Sequence, residues 1–354
     1  MVNRPHLASE DNLGNNLENN VPDALLASET APLSRLHLAQ KHSYSSSTSL
    51  KDTHKNKQIV IEDKAAMLAV EAAVAIVING IHYAILMASP YQLEYLAIGF
   101  LYSEGLIQHS HELLDWEVTQ LASVENCQDS MQSSYTQNNS TKDAFIHNIS
   151  DEPISMSQLS EQLQDYDVYV VELVLNQRCH QRIQAQRRQL AGRTGCGMCG
   201  ITGLTQALPD LSDYVKSEPQ NKQHLTAAIP SLDELLNLRA QINAAQHTHQ
   251  LTGAVHAAAT LHEQQLYLFE DVGRHNALDK LIGWQLRHKA QVDCVLMTSR
   301  LSIELVQKSI RSNIPWLIGM SAPTSTAVRV AERYGLGLAG FLRDNRVTYY
   351  TGIN

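Results

Sequence analysis

No apolar run in the 354 residues approaches the roughly 18 to 20 needed to cross a bilayer, which argues against a helical membrane anchor. The opening Met1-Val2-Asn3-Arg4-Pro5-His6 leads into polar sequence without the apolar stretch of a secretion signal, so the expected location is the cytoplasm. Cysteine is scarce. Five residues (Cys127, Cys179, Cys196, Cys199 and Cys294) make an odd and mostly scattered set, unlike the framework of a disulfide-stapled secreted protein. Basic charge is also short, with 27 Lys and Arg against 36 Asp and Glu, and a net −9 argues against general nucleic-acid binding. The deficit is uneven: residues 271–354 hold 11 basic and 6 acidic side chains, a net +5 that leaves −14 for the remainder. That C-terminal part is suited to attract an anion. With 44% hydrophobic residues, the chain can bury a sizeable core and could form two domains of about 100 to 200 residues each.

What is present centres on Arg193-Thr194-Gly195-Cys196-Gly197-Met198-Cys199-Gly200. Two thiols stand three positions apart in a segment that neither helix nor strand favours, and its glycines let another molecule approach the sulfurs. The spacing alone leaves four readings open: half a zinc site, a dithiol couple, a sulfur-carrying thiolate, or two inert small residues. Zinc lacks a second Cys-x-x-Cys, and His247-Thr248-His249 has too little spacing for a finger. A thioredoxin-like couple would sit at a helix start after a strand, and no clear helix follows here. Zinc-dependent nucleobase deamination needs His-x-Glu followed by Pro-Cys-x-x-Cys. His256 comes after the cysteines, has Ala258 where Glu is required, and no proline precedes Cys196. His256 is read either as a core or helix residue or as a site residue near the sulfurs.

Residues 1–57, rich in Ser and Asn, read as a disordered extension, and residues 123–157 as a polar surface insertion. Between them, residues 74–78 and 81–87 around Asn79-Gly80 predict a hairpin with a type I′ turn. Ser89-Pro90 then predicts a capped helix that Gly105 ends. A strand is expected at 168–175, a polar stretch at 212–223, and a helix near 231–245. From Leu266 onward, strands (266–270, 292–297, 316–320, 337–342) alternate with helices (276–287, 303–311, 325–334), with an edge strand at 347–351. This is the pattern of a parallel α/β sheet. Its strand ends, 271–275, 298–300, 321–324 and 343–346, would converge on one side, where open α/β sheets bind ligands. Helix-start amides with Arg274, Arg300, Arg343 and Arg346 would form a phosphate cradle there.

Four stretches carry a family resemblance: residues 192–200; Thr252-Gly253-Ala254-Val255-His256-Ala257-Ala258; Glu270-Asp271-Val272-Gly273-Arg274-His275-Asn276-Ala277-Leu278-Asp279-Lys280; and Ser321-Ala322-Pro323-Thr324-Ser325. Over residues 58–352, apart from the insertion, the chain resembles the formate dehydrogenase accessory sulfurtransferases. The resemblance implies a cytoplasmic homodimeric sulfur carrier. It would take sulfane sulfur from a cysteine desulfurase and pass it to a molybdenum bis(molybdopterin guanine dinucleotide) cofactor destined for formate dehydrogenase. The implied fold is α/β, a deaminase-like layered core with a smaller α+β N-terminal subdomain and a flexible cysteine loop. The chain is expected to divide into a disordered extension (1–57), an α+β subdomain with the polar insertion (58–192), the cysteine loop and linker (193–230) and a C-terminal cofactor-binding α/β domain (231–354). Cys196 matches the persulfide-forming cysteine and Cys199 its partner, and no structural metal is expected. Phe341, Leu342, Arg343, Asp344, Asn345 and Arg346 match the cofactor-binding stretch. Family members commonly place glycine between those arginines; Asp344-Asn345 is expected to keep the turn by adopting the left-handed conformation. A non-catalytic chaperone for the molybdenum cofactor is the alternative. Asp271, Arg274, His275 and His256 receive no individual roles.

Overall fold

The computed structural model describes residues 33–44, 59–122, 163, 165–187, 208–216 and 228–353. In chain order the strands are β1 (Ser34–Tyr44), β2 (Ile59–Ala69), β3 (Ala72–Ile78), β4 (Ile81–Ala88), β5 (Leu113–Ala122), β6 (Val168–Leu175), β7 (His256–His262), β8 (Gln265–Asp271), β9 (Cys294–Met297), β10 (Trp316–Gly319), β11 (Gly337–Arg343) and β12 (Arg346–Tyr349). The helices are α1 (Leu93–Ser103), α2 (Gln177–Arg187), α3 (Ser212–Lys216), α4 (Leu232–Ala245), α5 (His247–Thr252), α6 (Arg274–His288), α7 (Ile303–Arg311) and α8 (Ser325–Tyr334).

The larger sheet has strand order β12-β11-β10-β9-β7-β8. Strands β9, β10 and β11 are mutually parallel, while β7 runs antiparallel to both β8 and β9. Consequently β8, β9, β10 and β11 all point the same way. Alternation along the strands builds two cores, as the two-residue period of a strand requires. Val295, Met297, Leu317 and Leu338 pack with Leu278, Leu281, Leu305, Val306, Ala327 and Ala331 of α6, α7 and α8. Leu296, Trp316, Ile318 and Ala339 face the other way, against Leu235, Leu238 and Ile242 of α4. The result is a three-layer α/β/α arrangement. Helix α4 starts at Ser231, whose Oγ accepts from the Glu234 N–H while Glu234 reaches back to the Ser231 amide, a capping box at the expected position.

Strands β1 and β2 form a two-stranded sheet of their own, and a four-stranded sheet, β4-β3-β6-β5, contains the expected hairpin. Asn79 (φ 48°) and Gly80 (φ 75°) both take positive φ, as a type I′ turn requires. The Asn79 amide also closes onto the Leu175 main chain, donating to its oxygen at 3.1 Å and accepting from its nitrogen at 2.7 Å. Helix α1 links the four- and six-stranded sheets by lying against α6. The helices cross backbone to backbone at Gly99 and Gly283: a Cβ on Gly99 would strike the Asp279 carbonyl, and one on Gly283 the Tyr95 carbonyl.

Four expectations change. Ser34–Tyr44, inside the segment read as an extension without order, is β1 and pairs antiparallel with β2 along all eleven residues; the rest of residues 1–57 lies outside those described. Ser89 does not cap α1. Its amide donates to Asp271 and its hydroxyl accepts from the Val272 N–H, so the helix begins at Leu93 after a left-handed Gln92. Residues 212–216 of the polar stretch form helix α3. The C-terminal sheet is mixed rather than parallel, because β7 inserts between β8 and β9. Residues 123–157 and most of 193–230 fall outside the described residues.

Candidate functional site

The common direction of β8, β9, β10 and β11 brings their carboxyl ends to one edge, and the amino end of β7 lies there too because it runs the opposite way. His256 pairs with Asp271 across β7 and β8. Next along the edge, the Thr298 N–H donates to the Ala257 oxygen at 3.0 Å and Thr298 Oγ1 accepts from the Ala257 N–H at 2.9 Å. The Met320 N–H donates to Met297 at 2.9 Å, the Phe341 N–H to Ser321 at 3.2 Å, and Arg343 Nη1 to Met320 at 2.8 Å. The four strand-end segments are therefore contiguous, and the histidine missed as a strand residue sits among them.

Within the 341–346 stretch the residues differ sharply. Leu342 is fully buried and belongs to the core against α4, whereas Phe341, Arg343, Asp344, Asn345 and Arg346 are exposed. The Asp344-Asn345 turn forms, but neither residue takes positive φ; the left-handed residue is Phe341, at φ 53°, beside an irregularity in the β11–β12 register. Placing a bulky aromatic there costs on the order of 1–3 kcal/mol, a departure that points to function when an exposed ring is held that way. Asp344 pairs with Arg239 of α4 at 2.6 Å, an ion pair that spacing along the chain did not reveal. The loop thus carries two exposed arginines, one partly neutralised acid and one displayed aromatic.

The long motif around Asp271 resolves into two kinds of residue. Asp271 and Lys280, both with fully buried side chains, form an ion pair at 2.7 Å. Asp271 also accepts from the amides of Ser89 (3.1 Å) and Gly273 (2.8 Å) and from Asn276 Nδ2 (3.0 Å), while Lys280 donates to the oxygens of Ser89 and Glu270. Asn276 further donates to the Met87 oxygen at 2.8 Å. These contacts tie the end of β4 to the start of α6. One turn further, Lys308 of α7 meets Asp279 at 2.9 Å and Glu104 at 3.1 Å. Burial alone would lower the Lys308 pKa, but the two carboxylates outweigh it and hold it above the ordinary lysine value. These charges position the site rather than face a ligand.

Arg274 and His275, in contrast, occupy the first turn of α6 at the strand-end edge. His275 Nε2 and Arg274 Nε are buried without a hydrogen-bond partner. Burial, then the Lys308 and Arg274 charges, push the His275 pKa down to about 4, so the ring is neutral near pH 7. His256 is half-buried and also shifted down, first by burial and then by Arg274 and His249.

Cys196 and Cys199 lie outside the described residues, as does Cys127. The two described cysteines are poor nucleophiles. Cys179 is fully buried and donates to the Leu106 oxygen at 3.1 Å. Burial, with help from Asp293 and Glu234, raises the Cys294 thiol to about 12. Among the described residues no cluster of three or more His, Cys, Asp and Glu is arranged to hold a metal ion, and no helix is long and apolar enough to cross a membrane.

The chain is 34% identical over 294 residues to the sulfur carrier protein FdhD of Shewanella oneidensis, covering 82% of this chain and 86% of that one. It is 37% identical over 288 residues to the protein of that name from Chromobacterium violaceum, covering 80% and 88%. A crystal structure of a formate dehydrogenase accessory protein from Desulfotalea psychrophila superposes with a TM-score of 0.53, covering 90% of this chain and 97% of that one; at 17% identity this likeness concerns the fold. The family model for FdhD/NarQ matches residues 69–354, which span the four- and six-stranded sheets, the glycine-flanked cysteines and the strand-end edge, and the chain belongs to that family.

Proposed function

We propose that this protein is a cytoplasmic sulfur carrier for the maturation of formate dehydrogenase, working as a homodimer. The observation that carries the reading is the pairing of a glycine-flanked Cys-x-x-Cys with a sheet edge presenting His256, Arg274, Arg300, Arg343 and Arg346, in a chain whose relatives are named sulfur carriers. In the loading step the Cys196 thiolate attacks the terminal sulfur of a cysteine desulfurase persulfide. The sulfur–sulfur bond to the donor breaks, the donor leaves as thiolate, and the new persulfide bond forms on Cys196. Cys199 assists release: its thiolate attacks Cys196 Sγ, the two cysteines join, and the terminal sulfur departs as hydrosulfide. The described Cys179 and Cys294 are unsuited to either step, which supports assigning this chemistry to the glycine-flanked pair.

The acceptor is the molybdenum bis(molybdopterin guanine dinucleotide) cofactor, bound as substrate before insertion into the apoenzyme. The exposed arginines of the strand-end loops suit its phosphates, and Phe341 offers a ring for stacking. The order of the large sheet, a hairpin followed by parallel strands with helices on both faces, is compatible with a deaminase-like core. That core would lack deaminase chemistry, since Ala258 stands where the motif at His256 would need Glu and no proline precedes Cys196.

Mass spectrometry after incubation with a desulfurase and cysteine tests the carrier role. A one-sulfur adduct on the 193–200 segment is expected, absent in Cys196→Ala, and that variant should fail to restore formate dehydrogenase in a strain lacking its own carrier. Restoration by Cys196→Ala without any adduct would favour a non-catalytic cofactor chaperone.

A further inference from the structure

Strands β1 and β2 form a ribbon that, all but its last residue, precedes residue 69, where the family match begins. Its base is fixed. Arg35 donates to both oxygens of the Asp167 carboxylate, at 2.6 and 2.9 Å, and the Val70 N–H donates to the Leu33 oxygen at 3.0 Å. Among the described elements its main neighbour is α5, whose six residues span about 9 Å beside a ribbon roughly 37 Å long. A two-stranded ribbon is marginal in water unless an apolar face packs on something else.

Side chains two apart along a strand, and those paired across strands, point to the same side. The register Leu36↔Met67, Leu38↔Ala65, Gln40↔Asp63, His42↔Ile61 and Tyr44↔Ile59 therefore defines one face. On it Leu36, Leu38, Ile59 and Ile61 are 67%, 81%, 57% and 56% exposed, and Tyr44 is 64% exposed. The opposite face carries Arg35, His37, Lys41, Glu62 and Lys64, with Lys41 and Glu62 3.4 Å apart. Its apolar Val60 and Leu68 stand at opposite ends of the ribbon and form no stripe. The ribbon is thus amphipathic, and its apolar face lies in solvent. The five apolar side chains expose on the order of 700 Å², more than the few hundred Å² that a monomer usually leaves bare and close to the roughly 800 Å² per partner of a standard interface.

The pattern along that face identifies the occupant. The polar rung Gln40–Asp63, hydrogen-bonded at 3.2 Å, has two rungs with aliphatic side chains toward the base and two toward the tip. Laid in the same direction or turned end for end, a second copy of the face sets apolar rungs on apolar rungs and the polar rung on its equivalent. Self-complementarity of this kind is what an isologous two-fold contact requires, and an unrelated partner would have no need of it.

We propose that the apolar face of the β1–β2 ribbon docks on the same face of a second copy of this chain, stacking the two ribbons as a four-stranded sandwich between protomers. The proposal rests on the reading of the working protein as a homodimer and gives that dimer its surface.

Sedimentation velocity of the full chain tests this, with circular dichroism to confirm folding. The wild type should be a dimer. Leu38→Asp and Ile61→Asp should each raise its dissociation constant at least about 100-fold, because two-fold symmetry buries each new charge twice. Both side chains are more than half exposed in the protomer, so its own fold should be unchanged. Lys64→Glu, on the opposite face, should leave the dimer as it is. A dimer that persists undiminished in Leu38→Asp and Ile61→Asp, or that Lys64→Glu weakens as much as they do, would overturn the inference and leave the homodimer reading standing. A monomeric wild type would overturn both, and a dimer appearing only after deletion of residues 1–32 would make that segment of the same chain the occupant. Sulfur loading on Cys196, measured separately, distinguishes either failure from a failure of the carrier role.

Discussion

Replacing Asp271 by Asn isolates the role of the buried carboxylate at the strand-end edge. The carboxylate is completely buried, lies 2.7 Å from the Lys280 ammonium, and collects three further donors from Ser89, Gly273 and Asn276. Asn keeps the volume but removes the charge, and Lys280 is left buried with only the carbonyls of Ser89 and Glu270. Leaving one member of a buried pair uncompensated costs about 3–5 kcal/mol. At roughly 2–4 °C per kcal/mol for a domain of this size, the melting temperature should fall by about 10 °C. Lys280→Met should cost less, because Asp271 retains three hydrogen bonds. The double variant should recover about 1–3 kcal/mol relative to the sum of the single changes, since neither charge is then stranded. Differential scanning calorimetry of the four proteins reads the cycle, with sulfur loading measured at a temperature where all are folded. An Asp271→Asn protein within about 1 kcal/mol of wild type that nonetheless cannot be loaded would refute the argument, because the carboxylate would then serve chemistry rather than join the sheets.

The depressed His275 pKa makes stability depend on acid. The folded state resists protonation to about 4 while the unfolded chain titrates near 6.5, so the neutral ring's contribution is complete above 6.5 and is lost as pH falls through 4. The loss should total about 3 kcal/mol, read as a steeper fall in urea-unfolding stability between those limits for wild type than for His275→Gln; parallel curves would count against it. At the α1–α6 crossing, Gly99→Ala drives a methyl group into the Asp279 carbonyl, backbone that cannot swing aside. It should cost about 2 kcal/mol or more in the same assay, whereas Gly80→Ala meets no atom and should cost only the strain of its positive φ, about 1–2 kcal/mol.

Helices α7 and α8 appear at their expected limits because apolar residues recur at helical spacing and each segment faces a single core. Strand β7 escaped notice for the opposite reason. Its run Ala257-Ala258-Ala259 has little strand preference of its own and is extended only because β8 and β9 supply hydrogen bonds on both sides. Ser89 misled through a local rule: a serine beside a proline suits a helix start, yet a buried carboxylate 182 residues away claims its amide. The convergence of the strand ends was legible, since it follows from alternation of strands and helices and survives the insertion of β7.

The side chains that line the edge were not legible. Asp271, Asp279, Lys280 and Lys308 have the composition of a solvated surface, and only pairing, of Asp271 with Lys280 between β8 and α6 and of Asp279 with Lys308 between α6 and α7, makes their burial tolerable. Once that pairing is known, a simple sequence offset acquires meaning. The residues four before Asp279 and Lys308 are His275 and Glu304, so the seam runs on past its last ion pair to two side chains that each hold a buried atom without a hydrogen-bond partner. A histidine and a glutamate 29 positions apart carry no signal in a single chain; beside a fixed ion pair, they become neighbours with unmet hydrogen bonds.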